Sequence, residues 1–135
     1  GPNSHFENDP EYIQKALKLG SDVEIDIWLE HDQFYLGHDF GVYHIDTSFL
    51  INSNLWCHAK DSETFIELTK TPMIHSFFHQ QDDCTLTSRG FIWMYPGKEL
   101  PSSNGIILLN HSSNKIELIK KNYAGICSDY INQFK

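Results

Sequence analysis

Basic side chains are scarce in this chain. Its 135 residues include 18 acidic but only 10 basic side chains, which gives a formal net charge of −8. A protein that binds nucleic acid needs clustered Lys and Arg to displace the counterions of the phosphate backbone. The composition therefore argues against a nucleic-acid partner.

Long apolar runs and paired cysteines are lacking as well. No apolar run approaches the roughly 18 residues that span a bilayer, and no charged and then apolar signal segment opens the chain. The cysteines Cys57, Cys84 and Cys127 are odd in number and widely spaced, without a Cys-x-x-Cys pair that would suggest structural zinc. We therefore expect a reduced, soluble, cytoplasmic protein without a transmembrane segment.

Apolar side chains are plentiful enough for a packed core. Hydrophobic residues make up 40% of the chain and aromatic residues 13%, which excludes a disordered segment. The length predicts a single domain over residues 1–135. The chain also has eight histidines, which raise the question of metal or proton chemistry.

The apolar pattern changes period along the chain. A helix is predicted from Asp9-Pro10-Glu11, a good helix start, to Gly20, and a strand follows over 23–28 with a hairpin to Asp39. Further strands are predicted over 55–60, 73–79, 90–95, 105–109 and 124–128, with a helix capped by Ser62 over 62–68 and another over 113–123. Strands alternating with short crossovers predict an α/β fold with a parallel sheet, either an open sheet or a heavily trimmed barrel.

Two carboxylates share one face of the first predicted strand. Glu24 and Asp26 are two residues apart, so their side chains lie about 7 Å apart on the same face. Such a pair beside a buried strand repels unless a cation or donors lie between them, and Mg²⁺ or Ca²⁺ would satisfy both oxygens. The alternative is an edge strand whose polar face meets water.

Polar side chains also gather where later strands end. His58 and Lys60 share a face near the end of one strand, and His79 lies at the end of the next. The carboxyl ends of parallel strands are where α/β folds build active sites. Asp129 follows the last strand, with a helix cap as the alternative interpretation, and Trp93 either lines a pocket or packs in the core.

A glycine precedes a histidine at the end of the predicted hairpin. In Gly37-His38-Asp39 the imidazole of His38 can approach a substrate and act as a general acid or base near neutral pH. A His-Asp pair in a turn is common, so this motif gains meaning only from its neighbours.

Together these motifs resemble one enzyme family. Glu7-Asn8, the helix ending at Gly20, Glu24-Ile25-Asp26 and Gly37-His38-Asp39 follow the order seen in the glycerophosphodiester phosphodiesterases, and more broadly in the phospholipase-C-like phosphodiesterases. Residues 55–60 fall where that family has a strand ending Glu-x-Lys, and residues 125–129 resemble its closing strand. The resemblance implies a TIM barrel, here a small, trimmed (β/α) barrel with short helices.

The resemblance also implies roles for individual residues. Glu24 and Asp26 would bind a divalent cation, Mg²⁺ or Ca²⁺, while His38 would serve acid–base catalysis and Lys60 would face the phosphate. His58 stands where the family has its third acidic ligand, and an imidazole there would shift the preference toward softer ions. The substrate-binding residues are predicted to be His79, Trp93 and Asp129.

One family motif has no counterpart in the sequence. The family's His-Arg-Gly strand is absent, so we expect the barrel to be incomplete at its N-terminus. Residues 1–4 are interpreted either as native sequence or as the remnant of a cleaved tag.

The predicted function is metal-dependent hydrolysis of a glycerophosphodiester or a similar small phosphodiester. One alternative is a catalytically inactive relative that binds metal and a phosphorylated ligand. A soluble scaffold that binds neither is a further alternative.

Overall fold

The computed structural model describes residues 3–99, 101–109 and 122–134. The chain forms two compact units, an N-terminal unit of Asn3–His79 and a C-terminal unit that begins at Gln80. The single domain over residues 1–135 stays a prediction.

The N-terminal unit is built on a five-stranded sheet. Its elements in chain order are a 3-10 turn at Ser4–Phe6, α1 at Pro10–Lys18, β1 at Val23–Glu30, β2 at Gln33–Leu36, β3 at Tyr43–Ile45, α2 at Thr47–Leu50, β4 at Leu55–Ala59, α3 at Ser62–Thr69 and β5 at Ser76–Phe78. The strand order is β3-β2-β1-β4-β5. β1 pairs antiparallel with β2 and parallel with β4, while β5 extends the parallel side.

The predicted first helix is confirmed as α1. The Asp9 carboxylate accepts hydrogen bonds from the backbone N–H groups of Glu11 and Tyr12, and proline occupies the first turn, where it removes no helical hydrogen bond. Lys18 lies in the last turn, where its positive charge interacts favourably with the negative end of the helix dipole and stabilises the helix. Ile13 is the buried residue of the helix and joins the core beneath the sheet.

The alternation predicted for β1 is confirmed by its surroundings. Ile25 and Ile27 are almost fully buried in the core of the N-terminal unit, whose other members come from the neighbouring strands and helices. Glu24 and Asp26 point to the opposite face. α3 forms the crossover between the parallel strands β4 and β5, and its cap differs from the prediction: Asp61, not Ser62, accepts the N–H of Thr64 at 2.7 Å.

The C-terminal unit contains a four-stranded sheet. Its elements are β6 at Cys84–Leu86, β7 at Ile92–Met94, β8 at Ser102–Leu108, β9 at Tyr123–Cys127 and a 3-10 turn at Ile131–Phe134. The order is β6-β7-β8-β9, with β6 antiparallel to β7 and the remaining pairs parallel. The helix predicted over 113–123 lies outside the described residues as far as residue 121, and Tyr123 begins β9 instead.

The predicted barrel is wrong. The described strands form two mixed sheets, of five and four strands, rather than one closed parallel barrel. The physical reason lies at β1, where the chain turns back through a tight hairpin. β2 and β3 therefore extend the sheet with antiparallel strands on the side of β1 where a barrel would continue with parallel strands.

Among residues 3–99, 101–109 and 122–134, no helix is long and apolar enough to cross a membrane.

Candidate functional site

One face of the N-terminal sheet carries most of the predicted site residues. Asp26 on β1 is directly opposite His58 on the parallel strand β4, and His58 is opposite Phe77 on β5. Because alternate residues of a strand share a face, Glu24 joins Asp26 on β1, and Lys60 follows His58 beyond the end of β4. The structure therefore brings Glu24, Asp26, His58 and Lys60 together.

Asp26 lies at the centre of this group. It is 5% exposed, and its Oδ1 lies 3.1 Å from His58 Nδ1 and 3.2 Å from Lys60 Nζ. Its Oδ2 accepts a hydrogen bond from the side-chain amide of Asn8 at 3.2 Å. An ionised carboxylate only accepts hydrogen bonds, so His58 presents its Nδ1 hydrogen to Asp26.

Glu24 completes a cluster of three cation-binding groups. Its Oε1 lies 3.7 Å from His58 Nδ1, and one ligand atom each from Glu24, Asp26 and His58 lies within 4.8 Å of the other two. Two carboxylates and an imidazole are a donor set that divalent cations accept, with the imidazole favouring transition metals over Ca²⁺. We call these three residues the Glu24 cluster.

The two carboxyl groups titrate in opposite directions. Burial and the neighbouring Asp26 carboxylate raise the pKa of Glu24 well above its usual range. Burial also opposes ionisation of Asp26, but the hydrogen bond from His58 and the charge of Lys60 outweigh it, so the pKa of Asp26 lies below its usual value. Without a bound cation, this face therefore opposes the ionisation of Glu24 and favours that of Asp26.

His38 lies next to Asp26 in a second cluster. One ligand atom each from Glu7, Asp26 and His38 lies within 4.8 Å of the others, although Glu7 and His38 are both exposed. The Nδ1 of His38 lies 3.0 Å from Asp39 Oδ1. Asp26 thus belongs both to the Glu24 cluster and to the group that contains His38, the predicted acid–base residue.

Close backbone packing positions the turn that carries His38. A Cβ atom at Gly37 would lie 1.9 Å from the carbonyl oxygen of Phe40, so only glycine fits this turn. The Gly37 carbonyl accepts a hydrogen bond from the indole N–H of Trp28 at 2.8 Å. Trp28 follows Asp26 by two residues on β1, and this bond ties the turn to the strand that carries Asp26.

Aromatic rings hold His58 in place. Its imidazole stacks almost parallel to the ring of Phe77, with centroids 5.1 Å apart, and to that of His79, with centroids 4.6 Å apart. The predicted substrate-binding residue His79 therefore borders the Glu24 cluster through His58. Within the described residues, the buried Nε2 of His58 has no hydrogen-bond partner.

The other two predicted substrate-binding residues lie in the C-terminal unit. Trp93 is 5% exposed within β7, which agrees with the core-packing alternative. Asp129 is exposed in the turn that follows β9. The structure places neither of them in the Glu24 cluster.

Sequence reasoning assigned no role to Glu7 or Asn8. The Asn8 side-chain oxygen accepts the backbone N–H of Asp26 at 2.9 Å while its amide donates to the carboxylate, so a single residue holds Asp26 from both sides. Asn8 has a φ of 60°, a left-handed conformation that asparagine tolerates better than most residues. The Glu7-Asn8 pair in the motif order was the available signal, but its link to Asp26 needs the fold.

Comparisons of the chain with protein-family models, with curated proteins and with solved structures find no match. The resemblance to the phosphodiesterases therefore stays a hypothesis that rests on the motifs themselves.

Proposed function

We propose that the chain is a metal-dependent phosphodiesterase that hydrolyses a glycerophosphodiester or a similar small phosphodiester. The observation that carries the proposal is the position of Asp26, which has a ligand atom within 4.8 Å of those of Glu24 and His58 and one within 4.8 Å of that of His38. The motif order over residues 7–39 supports the same interpretation. The odd number and wide spacing of the cysteines lead us to place the activity in the reducing cytoplasm.

The residues of the Glu24 cluster fit a divalent cation. Glu24 and Asp26 would supply carboxylate oxygens, which suit Mg²⁺, Ca²⁺ and Mn²⁺, and His58 would supply an imidazole nitrogen, which suits transition metals such as Zn²⁺. A cation held there would withdraw charge from the phosphoryl oxygens of the bound diester. The Phe77 and His79 rings keep the His58 ring in position for this contact.

Two further residues act on the substrate directly. Lys60 stabilises the negative charge that develops on the phosphoryl oxygens as the ester bond to the leaving alcohol breaks. A hydroxyl group of the substrate attacks the phosphorus atom as His38 accepts its proton, and the leaving alcohol oxygen takes a proton from water as its ester bond breaks. The hydroxide so formed opens the cyclic phosphodiester, and the protonated imidazole returns its proton to the regenerated hydroxyl group. Asp39, which contacts His38 Nδ1, orients the imidazole for this role.

The test is product release from a panel of glycerophosphodiesters and lysophospholipids with Mg²⁺, Ca²⁺ or Mn²⁺ and with EDTA. We expect metal-dependent turnover that falls at least about 100-fold in Glu24→Ala and in His38→Ala. Glu63→Gln, which alters an exposed carboxylate on α3, is the matched control and should retain activity. Full turnover in either site variant contradicts the proposed roles.

The same panel separates the inactive relative from the enzyme. A ligand that binds only the folded state raises Tm by mass action, whether or not it is turned over. A rise in Tm with metal and glycerophosphodiester, without product, would favour the binding protein. No rise with either would favour the scaffold.

A further inference from the structure

The carboxylate of Asp26 is nearly saturated with hydrogen-bond donors. Its Oδ1 lies within 3.2 Å of both His58 Nδ1 and Lys60 Nζ, and its Oδ2 accepts the Asn8 amide. A carboxylate offers about four lone-pair sites, two on each oxygen. The two donors at Oδ1 therefore occupy the sites on the oxygen that faces the Glu24 cluster.

A cation that binds the Glu24 cluster through Asp26 Oδ1 competes with both donors at that oxygen. An ammonium group and a divalent cation repel each other strongly at contact distance in a poorly solvated site. Lys60 Nζ and the cation would compete for the same oxygen of Asp26. His58 can itself become a ligand once its Nδ1 gives up the hydrogen directed at Asp26, whereas an ammonium group has no lone pair with which to bind a cation.

The surroundings indicate which donor leaves. His58 is packed against the rings of Phe77 and His79, and its side chain is 15% exposed. Lys60 follows the end of β4 with a four-carbon chain that can rotate, and its side chain is 18% exposed. Moving the lysine costs less packing than moving the imidazole.

We propose that Lys60 is an exchangeable counter-ion, which neutralises Asp26 in the cation-free site and is released when a divalent cation binds. The released ammonium group then becomes available to a phosphate anion. This inference rests on the cation site of the proposed function and adds a consequence to it: cation and phosphate bind with positive cooperativity, because each favours the same position of Lys60.

Binding measurements test the exchange without reference to activity. Isothermal titration with Mn²⁺ and with Mg²⁺ would compare the unaltered chain with Lys60→Gln, whose amide still donates a hydrogen bond but carries no charge. We expect the cation to bind Lys60→Gln at least about tenfold more tightly, since a competing positive charge is removed. Lys70→Gln, which removes an exposed lysine paired with Glu67, is the matched control and should leave the affinity unchanged.

A second titration tests the cooperativity. With saturating inorganic phosphate, the unaltered chain should bind the cation at least about tenfold more tightly than without it, while Lys60→Gln should show a gain at least about threefold smaller. That remaining gain comes from direct contact between cation and phosphate. Lys60→Arg retains the charge and should keep the weaker affinity, and Lys60→Met, which also removes the charge, replaces Lys60→Gln if that variant does not fold by circular dichroism. Titration with phosphate but without cation corrects for metal–phosphate association in solution.

Three results overturn the inference, and they are distinguishable. Equal or weaker cation binding by Lys60→Gln shows that Lys60 is not a competitor, although the cation site stands. A phosphate effect of undiminished size in Lys60→Gln shows that Lys60 carries no part of the coupling. No binding of either cation to any variant removes the cation site itself, and the proposed function with it.

Discussion

Asn8 lies outside the sheet but holds Asp26, a residue of the site, in place. It holds the backbone N–H and the carboxylate of Asp26 at once, and it does so from a left-handed φ of 60°. We expect Asn8→Ala to lower the free energy of unfolding by about 2–4 kcal/mol, because a buried N–H loses its acceptor and alanine is strained at this φ. Urea denaturation measures the loss as a lower midpoint concentration, provided that the m-value of the variant is unchanged.

The matching variant separates the two causes. Asn8→Gly loses the same hydrogen bonds but not the backbone conformation, so it should be more stable than Asn8→Ala by roughly 1 kcal/mol. If alanine and glycine were equal to asparagine, the Asn8–Asp26 bonds would contribute nothing measurable to folding.

The Glu24 carboxyl group makes stability depend on pH in the absence of metal. Burial and Asp26 raise its pKa in the folded state, so the folded state favours the protonated acid. Its favourable contribution is complete below the ordinary pKa of 4.5 and is lost as the pH rises through the higher pKa of the folded state. The pKa of Asp26 is lowered, so the contribution of Asp26 has the opposite sign and is lost only as the pH falls below about 3.8.

Glu24→Gln should therefore raise Tm near pH 7 in EDTA, by about 3–6 °C for a change of roughly 1 kcal/mol in a chain of this length. The gain should disappear near pH 4, where Glu24 is protonated in both states. With added Mn²⁺ the order should reverse, because only the unaltered chain keeps both carboxylate ligands. A gain in Tm that does not depend on pH would contradict the raised pKa of Glu24. Glu63→Gln, which changes an exposed carboxylate, shows how much Tm changes when a surface charge is removed.

At the scale of elements, two neighbouring residues at the start of α3, Asp61 and Ser62, are both of a type that caps helices. Asp61 accepts the Thr64 N–H at 2.7 Å, while Ser62 is the first residue of the helix itself. Asp61→Ala should lower the free energy of unfolding by about 1 kcal/mol and Ser62→Ala by much less. Thermal melts of the two variants decide between them, and a larger loss in Ser62→Ala would restore the cap predicted from the sequence.

Strong local patterns made several elements predictable. The Asp9 cap with Pro10 predicted α1, and the two-residue period around Ile25 and Ile27 predicted β1 with its two carboxylates on one face. By contrast, β3 and β6 were not predicted as strands. β5 and β7 are equally short, with three residues each, but they lie within the longer apolar runs over 73–79 and 90–95 that predicted them.

Pairing between strands was the part that local pattern could not supply. The same alternation suits a barrel and an open sheet, and the choice depends on which strand occupies each edge. Likewise, the convergence of His58 and Lys60 on Asp26 followed from strand parity, whereas the contact between Asn8 and Asp26 joins segments 18 residues apart through no periodic pattern.

At the scale of the whole molecule, every residue assigned to the proposed chemistry lies in the N-terminal unit. That unit has its own core, which includes Ile25, Leu55 and Ile74, and the C-terminal unit has a separate one around Met94 and Ile107. A ligand stabilises chiefly the structure that must open to release it. Cation binding should therefore act unequally on the two units.

Amide hydrogen exchange followed by mass spectrometry measures this directly. Added Mn²⁺ should slow exchange in peptides that cover β1 and β4, at least about threefold, because Asp26 and His58 become cross-linked through a common ligand. Peptides that cover β7 and β8 should not change. Glu24→Ala with the same Mn²⁺ is the control, and its β1 peptides should exchange at the metal-free rate. Equal slowing in β8 would show that the units respond as one body, and slowing in neither unit at a concentration that saturates binding would place the cation away from β1 and β4.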